Sequence, residues 1–191
     1  VFKKSAVKPA MRANDTTDIW VGRGATYSKL ASRPFRSASL SRVKKYTDLG
    51  LYSITFNNDL EQDYNALEHF SAFREDAARN KFNYFLEVFN PNVECGIDPA
   101  LVPHYINDCI VRCLAGVTKA DRPQFLKIAY NGPKALEELA SFDPSITVGV
   151  LGGGAGFPYL VILDADGNVL ARDSGEKTAE DLAVWIQDAL A

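Results

Sequence analysis

No stretch of this chain approaches the roughly 18 consecutive apolar residues of a membrane-crossing helix, so no membrane partner is expected. Histidine is scarce: only His69 and His104 occur. There are three cysteines and no C-x-x-C among them, so no metal site is expected. Cys109 and Cys113 stand four apart on a predicted helix and Cys95 in a loop, the pattern of free thiols in a reducing, cytoplasmic setting. Neither G-x-G-x-x-G nor a P-loop occurs in the glycine-rich stretch, and no cofactor is expected. The opening Val1-Phe-Lys-Lys-Ser5 lacks both an initiator Met and a signal-peptide apolar core, as expected of a fragment or a processed product.

What is present suits a globular chain. Its 191 residues are 47% hydrophobic and 24% charged, enough for one domain or for a large and a small one. The net charge of −3 is unevenly spread. Residues 1–50 hold 11 Lys+Arg against 3 Asp, a net of +8, and residues 51–191 hold 10 against 21 Asp+Glu, a net of −11. A basic arm can meet phosphate or nucleic acid, or lie on its own acidic body. The basic residues are scattered without interleaved aromatics, which favours the second reading and argues against nucleic acid. Within the arm, Arg33-Pro-Phe-Arg36 is a loop able to present two guanidinium groups.

Residues 1–36 read as irregular, with at most a short strand at Ile19-Trp-Val21. Residues 39–48 read as a helix capped by Ser39 or Ser41. Residues 49–56 read as a strand with Ser53, Thr55 and Asn57 on one face and Tyr52, Ile54 and Phe56 on the other. Residues 59–80 have helical period, with Leu60, Tyr64, Leu67, Phe70, Phe73 and Ala77 in one stripe. A strand over 81–89 places Phe85, Glu87 and Phe89 together. A helix over 101–114 follows, then a strand over 123–132 in which Phe125, Lys127 and Ala129 share a face. A helix over 133–142 and a strand from 146 into Gly152-Gly-Gly-Ala-Gly156 complete a βαβαβαβ pattern. Strands this apolar predict a largely parallel sheet covered on both faces, or a barrel.

Beyond Gly156 the pattern changes. Only residues 152–158 separate this strand from the next, at 159–163, too few for a parallel crossover. A turn with Gly167 at its left-handed position and a return strand predict a β-hairpin. A last helix is capped by Thr178 with Asp181 as an imperfect capping box, and its apolar face holds Leu182, Val184 or Trp185, Ile186 and Ala189-Leu190.

Lys127 needs an explanation, because lysine is rarely buried unless paired. With Glu87 on a neighbouring strand it suits amine catalysis. A lysine amine attacks a carbonyl to give an imine, which then stabilises a carbanion, while a carboxyl group shuttles protons. Apolar surroundings favour the neutral amine this requires. The other reading is a buried ion pair, or an ammonium that reaches out at the strand end. Gly152, Gly153 and Gly154 follow a strand directly, so their backbone N–H groups can approach a phosphate, or they form a tight turn.

Phe85-Leu-Glu-Val88 and, forty positions on, Phe125-Leu-Lys-Ile128 resemble the Schiff-base class I aldolases of the tagatose-bisphosphate and archaeal fructose-bisphosphate type. The resemblance covers residues 37–156. It implies a (βα)8 barrel, with Lys127 as the imine-forming residue, Glu87 as acid/base and Gly152 to Gly154 in a phosphate-holding loop. The archaeal type carries an aromatic acid just after the Glu87 position, where this chain has Phe89. An intact barrel runs to about 250 residues, so only part of one is expected here. Residues 157–191, from Phe157-Pro-Tyr159 through the hairpin to the last helix, resemble the C-terminal half of thioredoxin-like domains, with Pro158 as the proline before the strand. No redox C-x-x-C accompanies it, and two partial resemblances imply a composite or truncated chain.

The resulting expectation is an α/β fold: an incomplete (βα)-barrel-type set of parallel strands with helices, closed by a C-terminal β-hairpin and helix. A basic arm over 1–36, a barrel-like region over 37–156 and a tail over 157–191 divide it. The expected activity is that of an aldolase-like lyase acting on a small phosphorylated sugar or related oxo compound. Lys127 and Glu87 are its catalytic pair, and Ser53, Thr55, Asn57, Tyr130 and Gly152 to Gly154 line its substrate site. The alternatives are a non-enzymatic barrel remnant that binds phosphate or a partner, and a thioredoxin-like module. Unpaired edges of an incomplete barrel predict self-association.

Overall fold

A computed structural model of the chain describes residues 8–14, 26–151, 159–163, 169–174 and 178–190. It divides into two units, Val1–Gly149 and Val150–Ala191. In chain order the elements through the fifth strand are β1 (Met11–Arg12), α1 (Leu40–Val43), β2 (Leu49–Thr55), α2 (Leu60–Asn80), β3 (Asn83–Phe89), α3 (Val102–Leu114), β4 (Phe125–Ile128), α4 (Pro133–Phe142) and β5 (Thr147–Val150).

The five strands form one parallel sheet in the order β1-β2-β3-β4-β5, not closed into a barrel. Each strand therefore lies beside its predecessor, and a crossover joins each neighbouring pair. In register, Tyr52 pairs with Leu86 and Leu86 with Leu126, while Ile54 pairs with Val88 and Val88 with Ile128. Side chains alternate across a strand, so these rows share one face. They pack with Phe70 and Phe73 of α2, Ile106 and Ile110 of α3 and Leu139 of α4 into a single core. Tyr52 stacks on Phe73 with ring centroids 4.4 Å apart, and Tyr84 meets Phe73 edge-on at 5.2 Å.

The local causes are readable. Asp59 caps α2 by accepting from the Gln62 backbone N–H at 2.8 Å, and Glu61 and Asp63 in the first turn suit the positive end of the helix dipole. Asp63 also accepts from the Asn57 backbone N–H and from the Tyr105 hydroxyl, so it occupies the inward position of that turn. Leu60 and Tyr64, expected in the apolar stripe, are consequently exposed, and the buried stripe is Ala66, Phe70, Phe73 and Ala77. Gly132, at φ 92°, turns the chain from β4 into α4, where Pro133 opens the helix.

Two differences from the sequence reading concern the N-terminal region. The helix expected over 39–48 is only the single turn Leu40–Val43. Ser39 is its N-cap residue but makes no capping bond; its hydroxyl meets that of Ser41 at 3.1 Å. A helix this short and uncapped has little to hold it. The region before 36 also contributes a strand. β1 pairs Met11 with Gly50 and Arg12 with Leu51. Just past it, Asn14 gives its side-chain N–H to the Ser53 carbonyl at 2.8 Å and accepts from the Ser53 backbone N–H at 2.7 Å. Ile19-Trp-Val21 lies outside the described residues.

In the second unit, β6 (Tyr159–Leu163) and β7 (Val169–Ser174) pair antiparallel, followed by α5 (Ala179–Leu190). The hairpin and the capping box are as expected: the Asp181 backbone N–H donates to the Thr178 hydroxyl at 3.1 Å and the Thr178 backbone N–H to the Asp181 carboxylate at 3.3 Å. Leu182 and Trp185 are half-buried whereas Val184 and Ile186 are exposed, which settles the face of α5 on Trp185. The turn holding Gly167, and Pro158, lie outside the described residues. No helix among the described residues is long and apolar enough to cross a membrane.

Candidate active site

Opposite the helix-covered face, the same register sets three polar side chains in one row: Ser53 of β2 beside Glu87 of β3, and Glu87 beside Lys127 of β4. Neighbouring strands lie about 4.8 Å apart, so such a row brings side chains into direct contact. Lys127 Nζ donates to Glu87 Oε1 at 2.6 Å, and the Ser53 hydroxyl donates to Glu87 Oε2 at 2.7 Å. Both carboxylate oxygens are thus engaged by charge-assisted or neutral donors. Glu87 is 2% exposed, whereas 36% of the Lys127 side chain reaches solvent. The carboxylate is the floor of the site and the ammonium its accessible end. One row toward the strand starts, Phe85 and Phe125 stack with centroids 4.5 Å apart and rings 12° from parallel, forming an apolar step below the pair.

Thr55 lies two residues beyond Ser53 on the same face and is buried. Tyr27, from the segment before α1, comes up against it. Burial raises the phenol above its ordinary 10.0, the Thr55 hydroxyl beside it works the other way, and the negative charge of Glu87 adds to the rise. Tyr27 is therefore a neutral donor at physiological pH in the surroundings of the pair. The Asn14 side chain fixes the backbone of Ser53 from the other side.

Past the strand ends the polar groups are asparagines. Asn57 gives a side-chain N–H to Asn92 Oδ1 and accepts from the Asn92 backbone N–H, both at 3.0 Å. Asn90 and Asn131 exchange side-chain hydrogen bonds of 2.8 and 3.0 Å. These two pairs tie the loops after β2, β3 and β4 together at the end of the sheet where α/β folds place ligands. A cleft of about 510 Å³ opens there, lined among others by Asn90, Asn92, Glu94, Cys95 and Asn131.

Of the residues expected in the site, Lys127, Glu87 and Ser53 are brought into contact, with Thr55 next to them. Asn57 is at the same end of the sheet but is spent on Asn92. Tyr130 stands beyond the end of β4, 47% exposed, and makes no hydrogen bond to the pair. Gly152, Gly153 and Gly154 lie outside the described residues. Sequence reasoning missed Asn14, Tyr27, Asn90, Asn92 and Asn131. The asparagines had a signal, since each of the strands β2, β3 and β4 is followed by one within three residues. Asn14 and Tyr27 had none, because they act through tertiary pairing.

Among the described residues there is no group of three or more His, Cys, Asp or Glu that could hold a metal ion. Burial pushes the Cys109 thiol up to about 11 and raises Cys113 further, so both stay protonated and unreactive. Fold and site together define an α/β protein with a parallel sheet and a lysine–carboxylate pair on the face away from its helices. No family model, no curated protein and no solved structure matches the chain.

Proposed function

We propose that the chain is an aldolase-like lyase that forms an imine between Lys127 and a phosphorylated sugar or related oxo compound. The observation that carries the reading is the row Ser53–Glu87–Lys127, with a buried carboxylate 2.6 Å from a half-exposed amine. Glu87 takes a proton from the Lys127 ammonium, and the free amine adds to the substrate carbonyl carbon. Glu87 returns that proton to the carbinolamine hydroxyl, which leaves as water and gives the iminium. The bond to the carbon bearing the β-hydroxyl then breaks, its electron pair moving toward the iminium to form an enamine. Glu87 accepts the hydroxyl proton as the aldehyde departs. Protonation of the enamine carbon by Glu87 and hydrolysis of the resulting iminium release the second carbonyl product. Ser53 holds Glu87 in place, and Thr55 stands two residues further along the same face of β2. The one-after-another strand order supports a barrel-type origin for the sheet.

A second reading has its own observation: both oxygens of Glu87 are already bonded, and the sheet is not closed. On that reading the pair is structural and the chain a non-enzymatic remnant that binds phosphate or a partner. The hairpin–helix unit contains no cysteine, so no thiol chemistry is proposed for it.

Lys127→Arg separates the two readings, because arginine keeps the charge on Glu87 and forms no imine under these conditions. Aldehyde release from ketose bisphosphates is measured with wild type and variant, both shown to be folded. Release by wild type and none by the variant is expected. No release by folded wild type, or equal release by both, would sink the enzymatic reading.

A further inference from the structure

The asparagines at the strand ends differ in what they have left to give. A side-chain amide has two N–H donors and two acceptor lone pairs. Asn92 has spent all four: it donates to the Tyr27 and Leu30 carbonyls and accepts from the Ser32 backbone N–H and the Asn57 side chain. Asn90 and Asn131 have spent half of theirs, on each other. Each keeps one N–H and one carbonyl lone pair with no partner among the described residues. Both residues are half-buried on the wall of the cleft of about 510 Å³. Their reciprocal bonds hold the two amides side by side, so the pair presents two donors, two acceptors and no charge.

The rest of the wall sets the charge a ligand can carry. Among the described residues that line the cleft there is no lysine, arginine or histidine, and Glu94 supplies a carboxylate. One oxygen of Glu94 accepts from the Gly96 backbone N–H at 3.1 Å, and the other is engaged by no described residue. The start of α3 offers an anion little. Pro103 has no N–H, and Asp98 accepts from the Ala100 backbone N–H at 2.9 Å and from that of Leu101 at 2.8 Å. An anion in the cleft would give up water to face a carboxylate and two carbonyl lone pairs. Val93 and Ile97 make part of the wall apolar.

We propose that this cleft binds a short, uncharged polyhydroxylated chain, with a vicinal diol seated on the Asn90–Asn131 pair and its C–H groups against Val93 and Ile97. A hydroxyl donates one hydrogen bond and accepts others, which matches what each amide has free. A carboxylate or phosphate group only accepts, and would use the two N–H groups alone. The volume is that of a small-molecule site. Asn90 stands three residues past Glu87 and Asn131 four past Lys127. On the lyase reading, and resting on it, the cleft therefore takes the uncharged, hydroxylated end of the substrate. Binding itself needs no chemistry at Lys127.

The test is a titration of the full chain with xylitol, which has no carbonyl for Lys127 to attack, read on the side-chain amide NMR signals of Asn90 and Asn131. The comparison ligands are a pentanediol with hydroxyls only at its ends, which lacks the vicinal pair, and xylonate, which adds a carboxylate. Saturable shifts of both amides are expected with xylitol, in wild type and in Lys127→Arg alike, with about tenfold weaker binding of each comparison ligand. Cys95 lines the cleft and is only half-buried, so bound xylitol also slows its alkylation by iodoacetamide. Glu94→Gln, at an exposed position, narrows the preference for xylitol over xylonate about fivefold. Asn131→Ala weakens xylitol about tenfold; if that variant does not fold, Glu94→Gln and the comparison ligands decide. The absence of saturable shifts in folded wild type, equal binding of xylitol and the pentanediol, or xylonate binding tighter than xylitol overturns the proposal. Aldehyde release without xylitol binding refutes this proposal alone, and xylitol binding by a chain that releases no aldehyde supports it while refuting the lyase reading.

Discussion

Replacing Lys127 by methionine tests how the site is built. Methionine nearly keeps the length of the side chain and removes its charge. The consequence falls on Glu87, which is 2% exposed and would keep only the Ser53 hydroxyl as a partner. Removing one member of a buried pair typically costs about 3–5 kcal/mol, because the other is left uncompensated. Lys127 is 36% solvent-exposed on its side chain, which lowers the strength of the pair and places the expected cost at the bottom of that range, about 3 kcal/mol. With a urea dependence of about 2 kcal/mol per molar, the unfolding midpoint falls by about 1.5 M. Glu87→Gln is milder, about 1 kcal/mol, because glutamine keeps an acceptor for Ser53 and the Lys127 ammonium can turn to water. The double variant Lys127→Met with Glu87→Leu leaves no buried charge and recovers most of the loss. Urea unfolding followed by far-ultraviolet circular dichroism reads all three. Equal midpoints for Lys127→Met and wild type, or a larger loss for Glu87→Gln than for Lys127→Met, would show that the carboxylate is not the buried member of the pair.

Three further outcomes follow from other parts of the structure. Cys95 is only half-buried while Cys109 and Cys113 are buried, so a thiol reagent at pH 8 labels one of the three cysteines quickly in the native chain and all three once urea is added; fast labelling of Cys113 in native buffer would contradict its place in the core. Gly50→Ala brings a methyl group to 2.8 Å from Phe82 Cε1, and the thermal midpoint falls by an amount equivalent to about 1–3 kcal/mol of overpacking; an unchanged midpoint would mean that β2 and Phe82 are not in this contact. The Asn107 side chain, and after it His104, hold the Glu138 carboxyl below its ordinary 4.5, so that its contribution to stability is complete above that value and is lost as pH falls through the lowered folded value. Carbon-13 titration of that carboxyl shows a midpoint below 4.5 in wild type and one nearer 4.5 in Asn107→Ala, whereas an unmoved midpoint in the variant would rule out the Asn107 bond.

Much of this fold is written in local pattern. Strands β2, β3 and β4 announce themselves by apolar runs of strand length, and α2, α3 and α4 by helical period, because burial on the sheet demands those spacings. Alternation also put Ser53 with Thr55, and Glu87 with Phe85, on their correct faces. What alternation cannot give is register. Ser53, Glu87 and Lys127 meet because β2, β3 and β4 stand in a particular stagger, set by how α2 and α3 return the chain. A shift of two residues would keep every face and separate the pair. The same limit hid β1, whose two residues are a strand only by virtue of Gly50 and Leu51 beside them. It also hid Asn14, which pairs with Ser53 across 39 positions of sequence. The stripe on α2 misread Leu60 and Tyr64 because periodicity does not know that a carboxylate, Asp63, takes the inward place in the first turn.

The central claim is that Lys127 is a nucleophile and not only the partner of Glu87. The chain is incubated with dihydroxyacetone phosphate and borohydride, digested, and mapped by mass spectrometry. The account predicts a reduced adduct on the peptide that carries Lys127, weaker in Glu87→Gln and missing in Lys127→Arg. A folded chain that shows no adduct there, or adducts spread evenly over exposed lysines such as Lys45 and Lys119, would contradict it.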